Sequence, residues 1–124
     1  MAEKEACFKR HARLLTAADF SRVFKDAQRS SDRLLTILAA NNNLEHPRLG
    51  LAISKKNAKR AVDRNRIKRI IRESFRLHQA DLPAADFVVM AKPVTKQASN
   101  SEIFKSLEIH WNRLRKLCEK SSSA

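Results

Sequence analysis

At 124 residues the chain has room for one compact domain and can bury a core without disulfide or metal staples. Lysine and arginine number 26 against 13 acids, a formal charge of +13, while hydrophobic residues make up 43%. That balance supports a globular rather than a disordered chain and points to a polyanionic partner, since uncompensated cations repel one another; nucleic acid is favoured over a merely solubilising surface or an anionic membrane.

In chain order, residues 1–12 are polar and expected to be loose. Thr16 is placed as an N-cap with Asp19 three residues on, and Leu15 is placed to staple against Phe20. Phe20, Val23 and Phe24 follow at helical spacing, so a short helix is expected over 17–27. A brief strand at Gln28–Ser31 is weakly signalled. Leu34–Ala40 reads as a strand, ended by Asn41-Asn42-Asn43 and Pro47. In Arg48–Ser54, Leu49, Leu51 and Ile53 alternate with Gly50, Ala52 and Ser54. One face of this strand belongs to a core, and the small-residue face is either open to a ligand or covered by a helix.

The period switches to 3.6 from Ala58 to Leu77 and is broken by Asp81–Ala85, which contains Pro83. Asp86–Lys92 is a third clear strand, ended by Pro93. The capping box Ser99–Glu102 opens a last helix, with Phe104, Leu107, Trp111, Leu114 and Cys118 as its apolar stripe. Residues 119–124 are expected to be loose. The order α-β-β-β-α-β-α predicts one α+β domain over 1–124, a sandwich with helices packed on one sheet.

Residues 55–76 read KKNAKRAVDRNRIKRIIRESFR, with ten basic residues against two acids, Asp63 and Glu73. At about 100° per residue, Ile67, Ile70, Ile71 and Leu77 gather on one side with Ser74 among them. Arg64, Asn65, Lys68, Arg69, Arg72 and Arg76 occupy the opposite arc. A merely solvated face would intersperse acids, because like charges four residues apart cost a few tenths of a kcal/mol per pair. An almost acid-free ridge suits phosphates, which arginine contacts bidentately, and Asn65 suits a sugar or base edge.

The run Arg64-Asn65-Arg66-Ile67-Lys68-Arg69, preceded by Leu49-Gly50-Leu51 and Ser54-Lys55-Lys56, strongly resembles the protein subunit of bacterial ribonuclease P, whose "RNR" signature lies in this helix. The similarity extends to Leu14-Leu15-Thr16, Asp19-Phe20, Val23-Phe24, Arg72-Glu73-Ser74-Phe75-Arg76 and Asp86-Phe87-Val88-Val89, in order over residues 9–118. The resemblance implies a ribonucleoprotein endonuclease that removes the 5′ leader from precursor tRNA. It implies chemistry performed by a large RNA subunit with Mg²⁺ bound mainly by that RNA, none held by the protein, and no protein catalytic residue.

By position, the resemblance assigns Lys55, Lys56, Arg60, Arg64, Asn65, Arg66, Lys68, Arg69, Arg72 and Arg76 to the catalytic RNA, and Phe20, Phe24 and Leu38 to a cleft for the single-stranded leader. Spacing alone reads the two phenylalanines as core packing. A left-handed βαβ crossover is also implied, against the general rule. Leu38 stands where many relatives carry an aromatic, and Ala27 where a glycine is common. The partners implied are the ribonuclease P RNA and precursor tRNA, with no membrane and no obligate protein partner.

A protein nuclease would need clustered carboxylates or paired histidines. The acids are scattered, and His11, His46, His78 and His110 have no ligand spacing. Cys7 and Cys118 form no metal or redox motif and fit a reducing cytoplasm. The N-terminus lacks the apolar segment of a secretory signal. The rival from another class is a structural RNA-binding protein of ribosomal-protein type, with the same basic helix and no role in cleavage.

Overall fold

The computed structural model describes residues 17–42 and 44–123. The expected N-cap Thr16, the staple residue Leu15, Asn43, Cys7, His11 and the expected loose segment 1–12 lie outside them. The elements in order are α1 (Ala17–Asp26), β1 (Gln28–Ser31), β2 (Leu35–Asn41), β3 (Arg48–Ala52), α2 (Ala61–His78), β4 (Ala85–Ala91) and α3 (Asn100–Ser123), with short 3₁₀ turns at Gln79–Asp81 and Pro93–Gln97. The weakly signalled strand at 28–31 is therefore present. The four strands form one sheet in the order β1-β2-β4-β3. β1 and β4 both flank β2 antiparallel, while β3 pairs parallel to β4. A turn suffices to join the antiparallel neighbours β1 and β2, but the parallel pair β3 and β4 needs a crossover, and here α2 provides it.

Period-2 alternation sorts the sheet into two faces. Leu35, Ile37 and Ala39 of β2 and Phe87 and Val89 of β4 join the large core, beneath Ile67, Ile70, Ile71 and Phe75 of α2 and Ile103, Leu107, Trp111 and Leu114 of α3. Phe75, Phe87 and Trp111 meet edge to face, with centroids 5.5–6.4 Å apart. The Trp111 indole N–H donates to the Ser74 hydroxyl at 3.0 Å, which explains a serine among the isoleucines.

Leu77 is a correction: it is 60% exposed, and Phe75 fills the core instead. The contact line follows Ile67, Ile71 and Phe75, which drifts by about 40° per step and leaves Leu77 outside. α2 also starts at Ala61 rather than Ala58, because the preceding residues form a turn in which the Ala58 and Asn57 amides bond to Ser54. At the other end α3 runs on to Ser123, past the point where the sequence was expected to loosen. Its capping box is formed as expected, with the Glu102 amide donating to Ser99 Oγ at 3.1 Å and the Ser99 amide to Glu102 Oε1 at 3.0 Å.

The opposite face carries a smaller cluster of Val23, Leu38, Ala40 and Val88, against which Phe20, Ala52 and Met90 pack. Both readings of the small-residue face hold in part, since α1 covers β2 and β4 but is too short to roof the whole sheet.

Asp32 pins the β1–β2 turn to α3. Its Oδ1 accepts from the amides of Leu34 and Leu35 at 2.8 Å, and its Oδ2 from the Ser106 hydroxyl at 2.5 Å. Buried His110 brings Nε2 within 3.3 Å of that oxygen, and its Nδ1 lies 2.6 Å from the Ser30 hydroxyl. Burial works to raise the Asp32 pKa, but Ser106, the two amides and His110 outweigh it and hold it at about 2. Burial is also the leading cause that lowers His110 from 6.5, against the pull of Asp32.

Both groups take up protons less readily folded than unfolded, so their stabilisation is present above the unfolded pKa and is lost as pH falls. For His110 the loss begins near 6.5, and for Asp32 it runs from 3.8 down through about 2. Urea midpoints should therefore fall from pH 7 to 5.5 and again towards pH 3. His110→Gln should abolish the first drop, and a flat native midpoint over pH 7–5.5 would rule out a neutral buried His110.

Candidate nucleic-acid interface

The charge of α2 is displayed by the packing that holds it. Ile67, Ile70, Ile71, Ser74 and Phe75 face inward, which turns Asn65, Arg69 and Arg72 out to solvent and leaves Lys68 half-buried at the edge. Asn65, Arg69, Arg72, Glu73 and Arg76 line a shallow depression of about 340 Å³ on the exposed face. Among the described residues, Lys68, Arg69 and Arg72 make no ion pair with an acid. Their charge stays directed outward.

The remaining basic residues are less uniform than the helical wheel suggests. Arg64 and Arg66 sit at the two borders between the buried stripe and the exposed face. Arg64 folds back to donate to the carbonyls of Ala58 and Lys59 at 2.9 and 2.8 Å. Arg66 reaches the start of α3, donating to Asn100 Oδ1 at 2.7 Å, the Lys96 carbonyl at 3.0 Å and the Ala98 carbonyl at 3.3 Å. The forks of both already hold protein oxygens. Arg76 pairs with Glu73, whose carboxyl is held below its usual range chiefly by that contact. Arg60 lies 4.0 Å from Asp63. Lys55 and Lys56 are exposed in the turn before α2.

A second feature lies across the sheet. α1 and the turn before α2 border a groove of about 520 Å³, floored by Thr36, Leu38 and Met90. Phe24 and Ala27 form one wall, Asn57 and Lys92 stand opposite, and Arg29 closes one end. Phe24 is 51% exposed, whereas Phe20 is half-buried against the small cluster and Leu38 is buried in the floor. The two phenylalanines are thus divided, with Phe20 serving packing and Phe24 presenting a ring to solvent. Arg29, Thr36, Asn57, Met90 and Lys92 were not found from the sequence. The alternation of β2 and β4 signals which residues share this face, but only the sheet order brings Arg29 opposite Leu38.

The wall made by α1 is fixed by one carboxylate. Asp86 is fully buried at the start of β4 and accepts from Arg48 Nε at 2.8 Å, Arg48 Nη2 at 2.7 Å and Asn42 Nδ2 at 2.9 Å, and also from Arg22 of α1. Arg22 further donates to the Asn41 carbonyl at 2.9 Å, and Arg48 reaches Asp19 of α1 at 3.4 Å. A buried carboxylate is tolerated when its oxygens are saturated by charged donors, as here.

Among the described residues, no three His, Cys, Asp or Glu side chains gather so as to hold a metal ion, and no helix is long and apolar enough to cross a membrane.

The fold that carries this basic helix and groove is similar to that of known proteins. The Ribonuclease P family profile matches residues 8–115. The chain is 52% identical to the ribonuclease P protein component of Methylococcus capsulatus over 116 residues, covering 94% of this chain and 91% of that one. It is 54% identical to the component of Photobacterium profundum over 110 residues, covering 89% and 93%. The RNase P protein of Staphylococcus aureus superposes with a TM-score of 0.76 at 37% identity, covering 82% of this chain and 93% of that one. With sequence, fold and the RNR helix in agreement over nearly the whole length, the chain belongs to the Ribonuclease P family.

Proposed function

We propose that this protein docks the exposed face of α2 on a large catalytic RNA and receives the single-stranded 5′ leader of precursor tRNA in the groove beneath α1. As a member of its family the chain is the protein subunit of the ribonucleoprotein that matures tRNA 5′ ends. The observation that carries the reading is that Lys68, Arg69 and Arg72 pair with no acid among the described residues, with Lys55 and Lys56 exposed in the turn before α2. In the same reading Mg²⁺ is held mainly by the RNA, where it supplies the charge stabilisation and activated water of phosphodiester hydrolysis. The side chains on that face are mostly guanidinium and ammonium groups, which repel a cation rather than ligate it, and the one carboxylate in its depression, Glu73, is paired with Arg76. Their work is to lower repulsion between two folded RNAs, so cleavage proceeds at lower Mg²⁺. The compartment that fits is the cytoplasm.

In the groove, Lys92, whose ammonium also donates to the Asp32 carbonyl, keeps further N–H donors for a phosphate, and the Phe24 ring offers a stacking surface for a base, while mature tRNA, lacking a leader, has nothing to place there. Reconstitution with the RNA subunit should restore leader cleavage at low Mg²⁺ and tighten precursor binding selectively. Phe24→Ala should weaken precursor binding by about 5- to 100-fold, the worth of one stacked base, with mature tRNA affinity and the melting temperature unchanged. Equal effects on both RNAs would rule out the leader groove, and no restored cleavage would rule out the subunit role.

A further inference from the structure

We infer that the path of the single-stranded leader does not end at the groove beneath α1 but turns over the edge of β1 onto α3, where Arg113, Lys116 and Leu117 hold its distal nucleotides. The inference rests on the leader reading given above.

Arg29 lines two depressions at once. One is the groove already described, and the other is a cavity of about 470 Å³ on the far side of the strand, lined by Arg29, Ser30, Ser31, Arg113, Lys116 and Leu117. β1 is an edge strand, so no further strand separates the two. Arg29 and Ser31, opposite Leu38 and Thr36, point to the α1 face, and Ser30, opposite Ile37, points to the α3 face. The hydroxyls of Ser31 and Thr36 are 2.9 Å apart, so the groove floor and the second cavity share a polar seam at the sheet edge.

The charge of the second cavity is one-sided. Its described lining has three cations and no acid. Arg113 and Lys116 are exposed, and neither pairs with an acid whose side chain the structure describes, Glu119 lying outside that set. Leu117, which lines the same cavity, is 36% exposed and gives an apolar surface on which a base can rest. Phosphate-binding cations flanking an apolar surface, with no stack of facing acids, suit a flexible strand better than a rigid duplex.

The direction follows from the fold. The groove begins at Asn57, in the turn that leads into α2, and crosses β4 and β2 to reach Arg29 on β1. With the catalytic RNA on α2, nucleotides near the cleavage site lie at the Asn57 end and those farther out emerge at Arg29. The α3 cavity is the next cationic surface they meet.

The test is a series of precursor tRNAs with leaders of increasing length, bound to the reconstituted enzyme carrying Arg113→Ala and Lys116→Ala, with a second form carrying Arg113→Glu and Lys116→Glu. Both sites are exposed, so melting temperatures should match the unsubstituted protein. Unsubstituted enzyme should gain affinity on lengthening the leader beyond the groove, and the alanine form should lose that gain, about 3- to 10-fold, with its salt slope for long leaders lower by about one unit. Short-leader precursors should bind and be cleaved equally by all forms, and the glutamate form should lose more on long leaders only.

Loss that is equal for short leaders, mature tRNA or the RNA subunit alone would overturn the inference in favour of a folded-RNA contact. Loss of the leader preference on Phe24→Ala with no length dependence in any form would leave the groove standing and sink its extension. Indifference to Phe24→Ala as well would instead remove the leader reading itself.

Discussion

A protein carrying Lys68→Ala, Arg69→Ala and Arg72→Ala should bind the ribonuclease P RNA roughly 150- to 2,000-fold more weakly while folding as well as the unsubstituted chain. The size follows from losing three charge-assisted contacts of about 1–1.5 kcal/mol each. The three residues pair with no acid among the described residues, and the isoleucines that hold α2 lie on the other side of the helix. Removing Lys68 and Arg72, four residues apart, also relieves a repulsion, so the melting temperature should hold or rise slightly. A plot of log affinity against log salt should lose roughly 0.7–0.9 of slope per phosphate contact removed. An unchanged slope would show that the face does not touch the RNA. The parallel substitution at Arg66 should behave differently, lowering stability because its guanidinium bridges α2 to the start of α3.

The second large effect is expected at Asp86. Asp86→Asn keeps the shape of the side chain but leaves Arg48, which is largely buried, with only the more distant Asp19 as counter-charge and turns an amide N–H towards Arg22 or Arg48. Breaking a buried pair from one side costs about 3–5 kcal/mol, or roughly 10–20 °C in melting temperature for a domain of this size. Arg22→Ala should cost far less, about 1 kcal/mol, because Arg22 is 42% exposed and can be replaced by water. At temperatures where Asp86→Asn is still folded, α1 should be loosened, so discrimination between precursor and mature tRNA should suffer before affinity for the RNA subunit does. Denaturation and binding measured on the same preparations separate these outcomes. Equal stability of the two variants would show that the Asp86 cluster does not hold α1.

Much of the architecture was legible because alternation and helical period are local properties. The strands over 34–40, 48–54 and 86–92 lie within a residue or two of the observed ones, and the capping box at Ser99 formed as written. What could not be read was adjacency. Nothing in the string around Gln28–Ser31 says that it pairs with β2, so Arg29 escaped notice although it stands across from Leu38. Asp86 read as the first residue of a strand, and its role depends on Arg22, Asn42 and Arg48 converging from three separate segments. In α2 the wheel correctly found the buried isoleucines. The outward face was cationic as expected, but Arg64 and Arg66 at its borders turned to protein carbonyls, a choice set by which backbone oxygens happen to lie beside them. Leu77 was misassigned because a wheel has no end, whereas the real contact line slants off the helix by its last turn.

The helix with the cationic face is also the sole covalent bridge between two strands that lie side by side. Arg48–Ala52 can meet Asp86–Met90 only after α2 has folded back across the sheet, so its ridge of like charges must be brought in during assembly of the domain. A bound polyanion relieves that opposition and favours the completed fold by mass action, about 4 kcal/mol when free RNA stands a thousandfold above its dissociation constant. On the docking proposed above, the surface that meets the RNA would therefore also be the place where the RNA helps the chain to finish folding.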